Sequence, residues 1–278
     1  MGSHGNDLGR FLRARRDALQ PEDVGLRREP GRRVPGLRRE EVARLADISS
    51  EYYLRLEQGH DHQPSGQVLT ALSRALRLDE AGADYLYRLA HPFRRPAVVP
   101  RPRAPLGEDL EPIVSAVRGA PAILVDATKD VVASNRLARS VAAWLRPGRN
   151  IVLDTFDPLV KSTMPGWEAH ARSVVASLRL TADVRDVRLQ EIVGTLSVRD
   201  EDFRRWWSTH EVHADRRGTL PVHVDGAGVV TLRWQEFSLP DQPGYALIVL
   251  GPADAEAERA LDVVHRRDLS RDDLVAHG

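Results

Sequence analysis

Five prolines fall within the fourteen residues 92–105, interleaved with Arg94, Arg95, Arg101 and Arg103. Each proline removes a backbone N–H and fixes φ, so this stretch forms neither the interior of a helix nor a central strand. It reads as an extended, semi-rigid linker over 92–106. The chain on either side then forms two domains, 7–91 and 107–268, and 278 residues leave room for a core in each.

Charge divides the chain at the same place. Residues 1–103 hold 19 Arg and no Lys against 14 Asp plus Glu, a net +5, while residues 104–278 carry −5 within an overall balance of zero. That asymmetry points to a polyanionic partner for the front domain alone, although Arg-rich surfaces also occur without one. The absence of cysteine excludes disulfides, thiolate zinc sites and cysteine nucleophiles. No apolar run approaches the roughly 18 residues that span a bilayer, and no secretory pattern opens the chain. The expectation is a cytoplasmic protein with no membrane association.

The front domain reads as five short helices, an all-α fold. Residues 7–19 place Leu8, Phe11, Leu12 and Leu19 inward at helical spacing. Residues 21–36 contain three Gly and three Pro and read as a loop bearing Arg27, Arg28, Arg32 and Arg33. Beside a groove-reading helix these four arginines would meet phosphates or the minor groove; otherwise they line a solvated loop. Leu37–Gly59 reads as two helices broken at Ala46–Ser49, the second capped by Ser49 and closed by Gly59. Such a pair crosses steeply and frees the N-terminal face of its second helix for a major groove. On that helix Glu51 and Arg55 lie one turn apart. Arg55 suits guanine O6 and N7, Glu51 suits cytosine N4, and the bland alternative is a surface ion pair between them. Tyr52 would meet a thymine methyl or a phosphate, and Arg38 and Arg39 would bind phosphates. Helices over Val68–Leu78 and Ala81–Ala90 complete the domain.

Beyond the linker the pattern is α+β with an antiparallel sheet. A helix is expected over Leu110–Val117, then two strands around Thr128-Lys129-Asp130. Helices follow over Arg136–Leu145, Trp167–Leu180, Val184–Leu196 and Glu201–His210. Alternating strands then turn at Asp225-Gly226, and Tyr245–Gly251 and a last helix from Asp254 to Val264 finish the order. On Glu201–His210, Phe203, Trp206, Trp207 and His210 share one face. With Trp167 they gather scarce large rings, as a cavity wall would, although such stripes are more often plain core. His210, Arg205 or Arg233 would meet the head group of an acidic ligand. No enzymatic signature stands out: in His210-Glu211-Val212-His213 the histidines are three apart, not the four that a zinc helix needs. His60-Asp61-His62 has no partner at ligand spacing, and no metal or cofactor is expected.

The segments PGLRREEVA (Pro35–Ala43), YYLRLEQG (Tyr52–Gly59) and PSGQVLTALSRALRLD (Pro64–Asp79) resemble an Xre-type helix-turn-helix, and more narrowly the MmyB-like regulators. One local departure is His60-Asp61-His62-Gln63, where the family is usually basic. Asn135, MPGWE (Met164–Glu168), SVRDEDFRRWWSTHEV (Ser197–Val212) and LRWQEFSLPDQPGYALIVL (Leu232–Leu250) resemble that family's PAS-like ligand-binding domain. Here Thr209 stands where the family often has Arg. The resemblance implies that Ser49 caps the recognition helix, that Ser50, Glu51 and Arg55 face base edges, and that Glu57 pairs with Arg16. It also implies a transcriptional regulator that binds an operator in double-stranded DNA as a homodimer and senses a small apolar ligand, a fatty acid or related metabolite. The alternative is a regulator whose second domain only dimerises or binds a protein partner, without ligand.

Overall fold

The computed structural model describes residues 4–29, 31–32, 34–60, 63–91, 110–213 and 215–276. The proline-rich linker over 92–106 lies outside them. In chain order the helices of the first half are α1 (His4–Ala18), α2 (Arg39–Leu45), α3 (Ser50–Glu57), α4 (Gly66–Ala75) and α5 (Glu80–Ala90). There follow α6 (Glu111–Ala116), β1 (Ala122–Asp126), β2 (Val131–Ser134), α7 (Arg136–Val141), α8 (Ile151–Thr155), α9 (Pro158–Thr163), α10 (Trp167–Thr181) and α11 (Val187–Arg199). The chain ends with α12 (Glu201–Ser208), β3 (Arg217–Val224), β4 (Gly228–Ser238), β5 (Tyr245–Pro252) and α13 (Ala255–Ala276). The described residues form two compact units: 4–91 with 201–213, and 110–200 with 215–276.

In the first unit α1 to α5 form the helical domain expected from the sequence. Leu8, Phe11 and Leu12 of α1 are buried together with Val42, Tyr53, Leu56, Leu72 and Leu86. The Phe11 ring meets Tyr85 edge-on at 5.2 Å, joining α1 to α5. α1 and α3 approach backbone to backbone, since a Cβ on Gly9 would lie 2.1 Å from the Glu57 carbonyl oxygen. Serine and aspartate side chains start the later helices: Ser49 accepts from the Tyr52 amide, Ser65 from Val68 and Asp79 from Gly82. α4 begins two residues before the expected Val68, because Ser65 is its cap, and Arg77 at φ 47° ends its turn before Leu78. The expected loop contains one 3-10 turn, Pro21–Val24, with Pro21 at its first position and the Gln20 amide donating to Asp23.

In the second unit the five strands form one antiparallel sheet in the order β2-β1-β5-β4-β3. Pro221 is tolerated because β3 is an edge strand. One face packs Ile123, Val125, Val222, Leu232 and Leu250 against α7 and α13, including Leu137 and Leu261. The other packs Leu124 and Ala133 under Val114 of α6 and Leu110 just before it. Asn135 explains its place after a strand. Its Oδ1 accepts from the amides of Ala138 and Ala122, while its Nδ2 donates to the carbonyls of Val117 and Ala120. The helix expected over Arg136–Leu145 instead stops at Val141, where Ala142 turns extended and a 3-10 turn follows. The last helix runs to Ala276, well beyond the expected Val264.

Candidate functional site

The first candidate surface is α3. Its buried side carries Tyr53 and Leu56, and Ser50, Glu51 and Arg55 are exposed on the other side. Ser49 fixes the N-terminus through its bond from Tyr52, 3.1 Å long. Among the described residues no ion pair joins Glu51 to Arg55. The Arg55 guanidinium lies 5.5 Å from the centroid of the half-buried Tyr52 ring instead. The helix therefore presents a hydroxyl, a carboxylate and a guanidinium from its first two turns, over a base tied to its neighbours.

That base is ionic. Glu57, with a side chain only 2% exposed, accepts from Arg16 Nε at 2.6 Å and from Arg39 Nε at 2.7 Å. Burial alone would raise the Glu57 carboxyl, but these two guanidinium bonds outweigh it and hold it below its ordinary value. A second pair governs the loop before α2. Arg32 grips Glu41 through two nitrogens, at 2.7 and 2.6 Å, and donates to the carbonyls of Val34 and Gly36. The hydrogen bonds from Arg32 lower the Glu41 carboxyl, which also accepts from the Arg38 amide and so caps α2.

These two acids sort the arginines. Arg32 is consumed, its side chain 3% exposed. Arg39 gives one nitrogen to Glu57 but stays half exposed, Arg38 pairs with Glu29 at 2.8 Å, and Arg28 donates to Gln20. Arg27 is exposed, and Arg33 lies outside the described residues. The sequence holds no sign that Arg32 differs from its neighbours, because only the folded path of the loop brings it to Glu41.

The residues expected at a ligand site are divided between the units. Phe203, Arg205, Trp206, Trp207 and His210 belong to the first, Trp167 and Arg233 to the second. On α12 Phe203 and Trp206 are buried, Trp207 stacks on Phe203 at 5.8 Å, and His210 leaves the helix at φ 50°. Arg205 pairs with Asp202 at 2.6 Å and is exposed. In the second unit Trp167 donates to the Thr155 carbonyl at 2.7 Å and meets Phe156 edge-on, with Lys161 Nζ 4.5 Å from its ring. Arg233 donates to the carbonyls of Pro252 and Ala253. One turn beyond Trp167 lies His170, whose imidazole burial pushes down to about 4.

Asp61 and His62 lie outside the described residues, among which no group of three or more His, Cys, Asp or Glu is placed to hold a metal ion. Nor is any helix of the described residues long and apolar enough to cross a membrane.

Comparison with protein families finds two matches. The model of the MmyB-like transcription regulator ligand binding domain matches residues 106–263, and that of a helix-turn-helix domain matches residues 7–86. Among curated proteins no match is found.

Proposed function

The chain belongs to the MmyB-like transcription regulators, and from that premise we propose that it reads a specific DNA operator with α3 and answers a small apolar ligand, a fatty acid or related metabolite, held by its second domain. The observation that carries the DNA reading is the exposed set Ser50, Glu51 and Arg55 on a capped helix locked from behind by Glu57 and Arg16. Arg55 pairs with guanine, Glu51 accepts from cytosine, and Ser50 and Tyr52 complete the contact surface. Arg27, Arg28, Arg38 and Arg39, with Arg33, meet phosphates, while Arg32 serves the fold through Glu41. Homodimerisation would present two such helices to a two-fold operator in the cytoplasm. No catalytic step is assigned to any residue.

The test is duplex binding by the full chain at physiological salt. A duplex selected from random sequence is expected to bind at least about a thousandfold tighter than unselected DNA. Equal binding of the two overturns the reading. A second reading, in which the second domain only dimerises or binds a protein, is favoured by one observation: Trp167 and Arg233 are already engaged by the chain itself. Lipid extraction and mass spectrometry of protein purified from its own host decide between them. A stoichiometric apolar acid supports the sensor, and a second domain that yields none supports the filled module.

A further inference from the structure

Residues 201–213 have two memberships. By sequence they lie inside the match to the ligand binding domain, residues 106–263, and by proximity they group with residues 4–91, which they meet at Val212 and His213. The chain leaves the second unit after Asp200 and is back in it at Asp215, and both points are anchored there. Asp200 accepts from Lys161 Nζ at 2.8 Å, and Asp215 accepts from the Ser173 hydroxyl at 2.8 Å. The excursion between them is the helix α12, followed by the left-handed His210 and a short run to His213.

The far end of this run reaches the start of α5. Val212 is buried, and Leu78, Asp79 and Gly82 share a cleft with Val212 and His213. His213 Nδ1 stands 3.9 Å from Asp79 Oδ2. Asp79 is the residue whose other oxygen caps α5 by accepting from Gly82 at 2.8 Å. From α5 the packing continues through Tyr85 and Phe11 to α1, and from α1 to α3 through the Arg16–Glu57 pair. On that route α1 and α3 also meet closely at Gly9, where a Cβ would lie 2.1 Å from the Glu57 carbonyl oxygen.

We propose that residues 201–213 are a lever: a piece of the ligand-binding domain, rooted at Asp200 and Asp215, that grips the cap of α5 and so sets the pose of the recognition helix. The inference rests on the regulator reading above. It gives that reading a physical connection beyond the proline linker. A change in the second domain that moves either root is transmitted to the cap of α5, and by reciprocity a duplex that fixes α3 loads the roots.

Amide hydrogen exchange on the full chain, with and without the selected duplex, tests this. In the native chain the duplex is expected to slow exchange in α3, and to alter it about fivefold or more in 201–213 and at the roots, the end of α11 and the start of β3. Two variants follow. H213A removes a half-exposed pair and is expected to leave most of the response. V212D puts a charge into the buried grip, and is expected to keep the α3 protection but lose the response at the roots. The lever is overturned if the native roots do not respond while α3 does, or if V212D responds as the native chain does. An α3 that the duplex leaves unprotected removes the DNA reading and the lever with it.

Discussion

Two glutamates decide which arginines of the first unit are tied into the fold. Glu57 holds Arg16, which also donates to Asp17 and the Leu37 carbonyl, and takes Arg39 in part, while Glu41 and the carbonyls of Val34 and Gly36 hold Arg32. Arg55 lies over the Tyr52 ring, and among the described residues it has no carboxylate partner. Two arginines on neighbouring helices should then fail in opposite ways. R55A is expected to leave the melting temperature within about a degree or two. It should weaken the selected duplex by about 1–3 kcal/mol and relax preference at one base pair, read by titrating duplexes substituted at each position. R16A leaves the buried Glu57 carboxylate with Arg39 alone and is expected to cost about 1–3 kcal/mol of stability in denaturant melts. Equal effects of the two substitutions on melting would refute the division. Here the sequence was legible in part. The Arg16–Glu57 pair followed from the family resemblance, but the Arg32–Glu41 pair depends on how residues 32–41 fold back, and no periodicity encodes a loop path.

Among the elements, the closeness of α1 and α3 is set by a hydrogen atom. A methyl group at Gly9 would meet the Glu57 carbonyl at 2.1 Å, and because that oxygen is backbone the whole helix must move. G9A should therefore cost about 1–3 kcal/mol in denaturant melts despite the better helix propensity of alanine. It should also reduce affinity for the selected duplex, which a substitution acting on stability alone would leave intact under folding conditions. α10 offers a second case. His170 lies on it beside the buried Ala171, and burial lowers its folded pKa to about 4, against the ordinary 6.5 of the unfolded chain. Between those values the unfolded state takes up a proton that the folded state refuses. The contribution is thus fully present above about pH 6.5 and is lost as pH falls towards 4, by at most about 3 kcal/mol. Urea melts of the second unit at pH 7 and pH 5 should show the loss, and His170→Leu should flatten it. The register of helical positions was readable in advance, since Trp167–Leu180 matches α10 closely. The break of α7 at Ala142 was not, because alanine carries no signal for an extended backbone.

For the whole molecule, sequence patterns specify what is buried better than what it is buried against. The stripe Phe203, Trp206 and Trp207 announced an inward face, and Phe203 and Trp206 are indeed buried. Nothing in the stripe said that its helix would group with residues 4–91 rather than with the domain that encodes it. The distribution of tryptophan turns that grouping into a measurement. Residues 1–97 contain none, Trp144, Trp167 and Trp234 lie in the second unit, and Trp206 and Trp207 are the pair at issue. Each unit has a core of its own, so denaturant should unfold the chain in two steps. A duplex present at a hundredfold its dissociation constant stabilises the unit that binds it by about 2.7 kcal/mol, and acts on the other only through the coupling at residues 201–213. The fluorescence owed to Trp206 and Trp207, obtained as the difference between the native chain and a W206F/W207F variant, should then move to higher denaturant with the duplex. The remaining fluorescence should move less. If the difference signal stays with the remainder, α12 unfolds with the second unit, and the grouping fails in solution. If it moves with the duplex, the helix shares the fate of the DNA-binding domain although its sequence belongs to the other.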